Sequence, residues 1–139
     1  MKKSITFLLL IICMFFTACG TNTKNEETPK GVASVSIYAE HEERYILEET
    51  EFEFEDGDTV FDLLKTATRE NKIHMEFSGS GKDAYVEGID NIYAFDAGET
   101  SGWLFYINDE EPQEGAARIE IEDGDKTEWI FVKDWNAKE

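Results

Sequence analysis

The hydrophobic pattern that begins near residue 32 predicts a pair of strands. Apolar residues alternate with small or polar ones over residues 32–39 and again over residues 45–54, where Phe52 and Phe54 are interleaved with glutamates. A period of two is typical of strands that bury one face. We therefore expect these segments to pair antiparallel through a turn at residues 41–43, with the glutamates of the second strand facing solvent.

A single helix is predicted next. The triplet Asp-Gly-Asp at residues 56–58 breaks the strand, and Thr59 and Asp62 then have the spacing of a capping box. The apolar residues that follow fall on one helical face: Val60, Leu63, Leu64 and Ala67. This spacing predicts a helix over about residues 59–70 that lies on the sheet.

Further strands are predicted in the second half of the chain. Residues 73–77 and 84–89 have short strand patterns on either side of a glycine-rich loop. Residues 117–121 and 127–132 are predicted to form a closing hairpin around the Asp-Gly-Asp turn at residues 123–125.

The segment GWLFYIN at residues 102–108 gives the strongest strand signal. Its large side chains alternate between two faces: Trp103, Phe105 and Ile107 on one, Leu104 and Tyr106 on the other. Both faces are apolar, which is more hydrophobic surface than one helix covers. The order of elements predicts an α+β domain: a β-grasp-like mixed sheet with one packed helix and additional short strands.

The N-terminus has the features of an export signal. Two lysines precede an apolar run at residues 5–16, which is shorter than the roughly 20 residues of a membrane-spanning helix. The sequence TACG that ends at Gly20 resembles the lipobox of bacterial lipoproteins. We therefore predict that residues 1–18 are a signal peptide and that Cys19 carries the lipid anchor, palmitate included. The alternative is ordinary cleavage near Ala18 that leaves an unmodified thiol.

The mature chain is predicted to be a tethered, acidic domain. Residues 19–31 contain no large apolar side chain and are predicted to be a flexible tether, with the domain at residues 32–135. Loss of Lys2 and Lys3 from the 13 basic residues leaves 11 against 31 acidic ones, a formal net charge of −20. Such a surface disfavours nucleic acid and anionic lipid as partners. Cys13 is lost with the signal, so no disulfide is expected.

Three stretches resemble one known family. They are DGDTVFDLLKTA at residues 56–67, SGWLFYINDEEPQEGA at residues 101–116 and IEDGDKTEWIFV at residues 121–132. In this order they resemble the transcobalamin C-terminal-domain-like family, which is grouped with the soluble-ligand-binding β-grasp proteins. The resemblance covers residues 32–132. It implies a β-grasp fold and a ligand-binding ancestry.

The resemblance also implies a site. In the vitamin carriers of that family, this domain packs over cobalamin together with a larger helical domain, which is absent here. By position, Trp103 and Leu104 match the strand near the corrin, and the turn from Pro112 to Gly115 adjoins it. With Tyr106, these residues form the predicted ligand-binding surface. Cobalamin or another tetrapyrrole-like molecule is the implied ligand.

The aromatic and acidic residues have simpler interpretations as well. The two Asp-Gly-Asp triplets have oxygen ligands at alternate positions, as calcium loops do, but they are also typical turns. His41 and His74 are the only histidines and are predicted to be surface residues rather than metal ligands. Five aromatic residues form either a shelf for a planar ligand or the core of a small domain: Trp103, Phe105, Tyr106, Trp129 and Phe131.

Three functions remain open at this stage. The sequence has no nucleophile elbow, phosphate loop or histidine with an evident partner, so we expect no enzymatic activity and no catalytic residues. The leading hypothesis is a monomeric, lipid-anchored binding protein at the outer face of the cell membrane, for a soluble small ligand. The alternatives are an acidic adhesion or interaction module and a divalent-cation-binding surface protein.

Overall fold

A computed structural model describes residues 30–137. The predicted signal peptide, Cys19 and nearly all of the tether lie outside the described residues. The elements are β1 (Gly31–Ala39), β2 (Arg44–Phe54), α1 (Val60–Glu70), β3 (Met75–Ser78), β4 (Tyr85–Ile89), β5 (Ile92–Tyr93), β6 (Gly102–Ile107) and β7 (Lys126–Val132). Within this part of the chain, no helix has both the length and the apolar character needed to cross a membrane.

The main sheet has four strands in the order β2-β1-β7-β6. β1 pairs antiparallel with β2 and parallel with β7, and β7 pairs antiparallel with β6. The predicted antiparallel pair β1 and β2 is therefore confirmed, and so is the predicted α+β fold with a mixed sheet and one helix. β2 and β6 are the edge strands, and the alternate glutamates Glu51 and Glu53 of β2 are exposed as expected.

The helix begins and packs as its sequence predicts. The Thr59 side chain accepts a hydrogen bond from the Asp62 N–H, while the Asp62 carboxylate accepts one from the Thr59 N–H, each at 3.2 Å. This capping box satisfies donors that the first helical turn leaves free. Val60, Leu63 and Leu64 are buried against the sheet. Burial of this face, rather than helix propensity, supplies most of the stability of α1.

The predicted closing hairpin is wrong. Residues 117–121 do not form a strand that pairs with β7; Ala116–Arg118 form a 3-10 helix, and β7 lies between β1 and β6. The segment instead crosses the start of α1, where the Val60 N–H donates to the Ile119 carbonyl at 3.0 Å. The small side chains of Ala116 and Ala117 are buried there. Because its backbone bonds to residues at the start of the helix, the segment does not pair with β7.

The three strands β3, β4 and β5 form a second, smaller sheet in that order. Both of its pairs are antiparallel. Val86 and Ile89 of β4 are buried in the main core, so this sheet packs beside α1 and approaches the open edge of β6. Hollows lie where this smaller sheet approaches β6.

Candidate functional site

The predicted site strand is the edge strand β6. Trp103, Phe105 and Ile107 pack against the core beneath the helix, and Leu104 and Tyr106 lie on the opposite face, as alternation predicts. All five of these side chains are half-buried. The prediction that both faces are apolar and incompletely covered is thus consistent with the structure, but the edge position could not be foreseen.

A cavity of about 200 Å³ opens between α1, β4 and β6. We call it the β6 cavity. It is lined by Phe61, Ala84, Tyr85, Val86, Trp103, Leu104, Phe105, Glu111, Pro112, Gly115, Ala116 and Trp129. Of the predicted site residues, Trp103, Leu104, Pro112 and Gly115 line this cavity together, whereas Tyr106 does not.

Several lining residues were missed by the sequence analysis. Phe61 and Val86 were assigned to helix and strand patterns that carried no sign of a ligand, and they meet β6 only through the tertiary fold. Trp129 was one of the five aromatic residues that the sequence assigned either to a shelf for a planar ligand or to the core. It is almost wholly buried, at 3% exposure, and its ring stacks on Phe105 with centroids 5.0 Å apart.

The indole N–H of Trp129 is the unusual polar group of this site. Its Nε1 atom is buried and has no hydrogen-bond partner within residues 30–137. By contrast, Trp103 Nε1 donates to the carbonyl of Ile92 at 2.9 Å. Buried donors are nearly always paired in native proteins, because an unpaired one costs about 1–3 kcal/mol. Trp129 lines the β6 cavity, and its enclosed N–H becomes available to a ligand's acceptor only if neighbouring side chains shift.

The backbone of β6 supplies further polar groups. The Asn108 N–H donates toward β7, to the Lys126 carbonyl at 2.8 Å, whereas the Ile107 N–H donates to the Glu110 carbonyl in the turn. In an antiparallel pair, these directions alternate along the strand. The N–H and C=O groups of Trp103 and Phe105 therefore point away from β7, toward the open edge beside the cavity.

The turn after β6 closes one side of the β6 cavity. Asn108 and Asp109 both have positive φ, at 51° and 68°, and reverse the chain. The Asn108 side chain holds this geometry, since it donates to Asp125 at 2.8 Å and accepts the Lys126 N–H at 3.0 Å. The turn carries Glu111 and Pro112 over the cavity, and Glu111 is the only charged residue of its lining.

A family model matches residues 57–133, more than half of the chain. Its description is "Domain of unknown function (DUF4430)". The chain belongs to this family. The match runs from the start of α1 to the end of β7, so every lining residue of the β6 cavity lies inside the family domain, whereas β1 and β2 lie outside the matched residues.

Solved structures resemble the family fold of this chain. A candidate metal binding protein from Ruminococcus gnavus ATCC 29149 is 21% identical with a TM-score of 0.51, covering 74% of this chain and 97% of that protein. Haptocorrin in complex with Cbi is 16% identical with a TM-score of 0.58, covering 75% of this chain. The chain spans 25% of haptocorrin. No curated protein matches the sequence. At these identities, the likeness concerns the fold.

The two histidines of this chain lie in different surroundings. His74 is exposed as predicted, with Nε2 3.0 Å from Glu76. His41 differs from the prediction because its ring packs 5.0 Å from Phe131, and its Nδ1 atom is buried without a partner in the described part of the chain. The described residues contain no group of three or more His, Cys, Asp or Glu side chains arranged to hold a metal ion.

The two Asp-Gly-Asp triplets form turns. Gly57 and Gly124 have φ values of 85° and 87°, which residues with a side chain rarely adopt. In each triplet the second aspartate, Asp58 or Asp125, accepts a backbone N–H from three residues earlier, at 2.9 Å. The predicted turn chemistry therefore accounts for both triplets.

Proposed function

We propose that this protein is a membrane-anchored, extracellular, non-enzymatic lipoprotein that binds a soluble small ligand in the β6 cavity. The observation that carries the proposal is an apolar cavity lined by Trp129, whose buried indole N–H has no hydrogen-bond partner within residues 30–137. Apolar walls with a small number of polar groups are typical of ligand sites. Here those groups are the Trp129 N–H and the outward backbone groups of Trp103 and Phe105.

The shape of the cavity favours a large, flat ligand that enters by one edge. Its volume of about 200 Å³ lies below the roughly 300–1,000 Å³ of pockets that enclose a whole drug-sized ligand. Aromatic walls at Phe61, Trp103 and Phe105 offer rigid contact area to a planar ring system. A corrinoid or other tetrapyrrole-like molecule has such an edge, with acceptor groups around it. The fold likeness to haptocorrin supports this ligand class, and with it a transcobalamin-like ancestry for the domain.

A binding role agrees with the chemistry of the lining better than a catalytic one does. Among the described lining residues, Glu111 is the single carboxylate and Tyr85 the single hydroxyl, and there is no serine, cysteine, histidine or lysine. Nucleophilic and acid–base mechanisms need such a group next to a partner. The β6 cavity therefore offers contacts and hydrogen bonds to a ligand that leaves unchanged.

The anchor rests on the N-terminal sequence. A diacyl group on Cys19 contributes about 0.8 kcal/mol per buried CH₂, so two chains hold the protein on a membrane stably. At about 3.5 Å per residue at most, the tether predicted at residues 19–31 spans a few tens of ångströms and keeps the acidic domain clear of the lipid. Cys19→Ala should release the protein into the soluble fraction and abolish incorporation of labelled palmitate. Membrane retention of that variant, or a wild type without label, contradicts the anchor.

The ligand is tested with the mature lipidated chain in maltoside detergent. Titration with a panel of corrinoids and haem should quench tryptophan fluorescence and raise the melting temperature for at least one member. Trp129→Phe should weaken that binding about two- to tenfold, because one hydrogen bond is worth about 0.5–1.5 kcal/mol. Tyr106→Ala, on the opposite face of β6, is the matched control and should bind normally. A melting curve unchanged by the whole panel refutes this ligand class.

A second candidate function follows from β2. Glu48, Glu51 and Glu53 are exposed on this edge strand, and the whole chain has a net charge of −18. An acidic interaction module that recognises a cationic surface partner would use this face. Its binding should fall steeply as salt is raised, because exposed charges more than about 8–10 Å apart are screened at physiological ionic strength. Salt-insensitive binding rules out this candidate.

A further inference from the structure

A second hollow lies beside the β6 cavity, where β6 meets the loop after β5. Its volume is about 600 Å³, and we call it the aromatic hollow. It is lined by Tyr85, Glu87, Tyr93, Ala94, Phe95, Gly102, Trp103, Leu104 and Trp135. Five of these nine residues are aromatic, one is a carboxylate, and none is a lysine, arginine or histidine.

The rings of this hollow are unusually exposed. Phe95 is 64% exposed, Tyr85 61% and Trp135 37%, and these are three of the five exposed large hydrophobic residues in the described part of the chain. Single exposed apolar side chains are common on protein surfaces, but a cluster in a concave site indicates an interaction surface. The exposed aromatic cluster therefore indicates that the hollow binds another molecule.

The backbone holds Phe95 in this exposed position. Its φ of 73° lies in the left-handed region, which is rare for a bulky residue and costs about 1–3 kcal/mol. Hydrogen bonds on both sides fix it: the Phe95 N–H donates to the Ser101 carbonyl at 2.9 Å, and the Gly98 N–H donates to the Phe95 carbonyl at 3.2 Å. The Asp96 carboxylate accepts the Tyr93 N–H at 2.8 Å. The loop is built around an exposed phenyl ring.

Trp135 forms a second wall, nearly perpendicular to the first. The ring centroids of Phe95 and Trp135 are 5.8 Å apart, with an angle of 75° between the planes. The backbone N–H of Trp135 donates to the Thr100 carbonyl at 2.9 Å. Gly102 allows the indole to lie on the β6 backbone, since a Cβ at that position would be 3.2 Å from Trp135 Cζ3. The Phe95 and Trp135 rings thus form two adjoining walls of the hollow.

The charges around the hollow determine which occupant fits. Glu87 belongs to the lining, Asp96 lies in the same loop as Phe95, and no cationic side chain in the described lining offsets them. Aromatic faces carry negative potential and attract cations, whereas an anion would meet both the rings and the carboxylate unfavourably. The site therefore favours a positively charged group over a neutral or anionic one.

We propose that the aromatic hollow binds a trimethylammonium group, with Phe95 and Trp135 as cation–π walls and Glu87 as the counter-charge. A primary ammonium needs hydrogen-bond acceptors for three N–H groups, which aromatic walls do not supply. A trimethylammonium carries its charge on methyl groups and needs no hydrogen bonds, and aromatic cages are its known recognition mode. This inference does not rest on the β6 cavity having a ligand.

The test uses the mature lipidated chain in maltoside detergent, with tryptophan fluorescence as the readout. Choline and tetramethylammonium chloride should quench the emission saturably. Their neutral carbon isostere, 3,3-dimethyl-1-butanol, and equal sodium chloride should not. Because the lipid anchor would insert into any vesicle, a short-chain phosphatidylcholine below its micelle concentration forms a separate arm: binding confined to it assigns the trimethylammonium to a lipid headgroup, and binding of free choline assigns a soluble ligand. Equal affinity for choline and its isostere, or no binding in any arm, overturns the proposal.

Variants locate the binding. Phe95→Ala and Glu87→Gln should each weaken choline binding about fivefold, since a cation–π contact or an exposed charge contributes on the order of 1 kcal/mol. Both residues are exposed, so the fold should persist. Tyr45→Ala removes an exposed aromatic ring from the β1–β2 hairpin and is the matched control, and Trp129→Phe should also leave choline binding unchanged. Unaltered affinity in both hollow variants overturns the assignment.

Discussion

Two tryptophans of this domain differ in the hydrogen bonding of their indole N–H groups. Trp103 and Trp129 lie on neighbouring strands, β6 and β7, and both line the β6 cavity. Trp103 Nε1 donates to the Ile92 carbonyl at 2.9 Å, whereas Trp129 Nε1 is buried without a partner among the described residues. Replacing either tryptophan by phenylalanine removes the same atoms. At Trp103 the change breaks a hydrogen bond, whereas at Trp129 it removes a donor that has no partner among the described residues. The ligand-free stabilities of the two variants should therefore differ.

The magnitude follows from the two contributions. Loss of part of the ring costs about 1–2 kcal/mol at either position, at about 0.8 kcal/mol per buried carbon group. Trp129→Phe also removes an unpaired donor that costs about 1–3 kcal/mol, so its net change should be near zero. Trp103→Phe instead loses the hydrogen bond to the Ile92 carbonyl, worth about 0.5–1.5 kcal/mol, and should cost about 1.5–3.5 kcal/mol in total.

The assay is urea unfolding of the ligand-free mature chain, followed by circular dichroism. We expect Trp103→Phe to be less stable than Trp129→Phe by about 2 kcal/mol, which corresponds to about 10 °C in melting temperature for a domain of about 100 residues. Trp103 is the more exposed of the two residues, so burial alone predicts the opposite order. If Trp129→Phe is equally or more destabilising, the argument from its unpaired N–H is refuted.

The remaining predictions concern the fold. Thr59→Ala should cost about 1 kcal/mol in urea unfolding because it removes the cap of α1, and Thr59→Ser should restore most of it. Burial acts to raise the pKa of Asp62, but the hydrogen bonds from Thr59 and Lys65 outweigh it and leave the pKa below its ordinary value. Asp62 thus stabilises the fold above the unfolded-state pKa of about 3.9, and the contribution is lost as pH falls through the folded-state pKa, so Asp62→Asn should show a smaller loss between pH 5 and pH 2. Gly79→Ala should be far more destabilising than Gly57→Ala, although both glycines have positive φ. The added Cβ would clash with the Asp83 carbonyl oxygen at position 79, whereas it meets nothing within 4 Å at position 57. Equal melting temperatures would contradict this.

Local elements of this protein were predictable because their causes are local. The alternation in β1 and β2, the four-residue spacing of α1 and its capping box depend on residues within one turn or one strand of each other. The two-sided apolar character of β6 was visible for the same reason. The hairpin at residues 117–121 was wrong because its apolar pattern suits a strand equally well, and only the start of α1 decides that it crosses the helix.

The sequence by itself determined the helix α1, the strands β1, β2 and β6 and the acidic surface, and four of the five residues that it grouped as a site line one cavity. The tertiary structure decided that β6 is an edge strand, that the buried Trp129 Nε1 has no partner among the described residues, and that Phe95 and Trp135 meet across forty residues of chain. The physical reason is that periodicity fixes which face a side chain takes. Only the packing of distant segments fixes what that face meets and which donors remain unpaired.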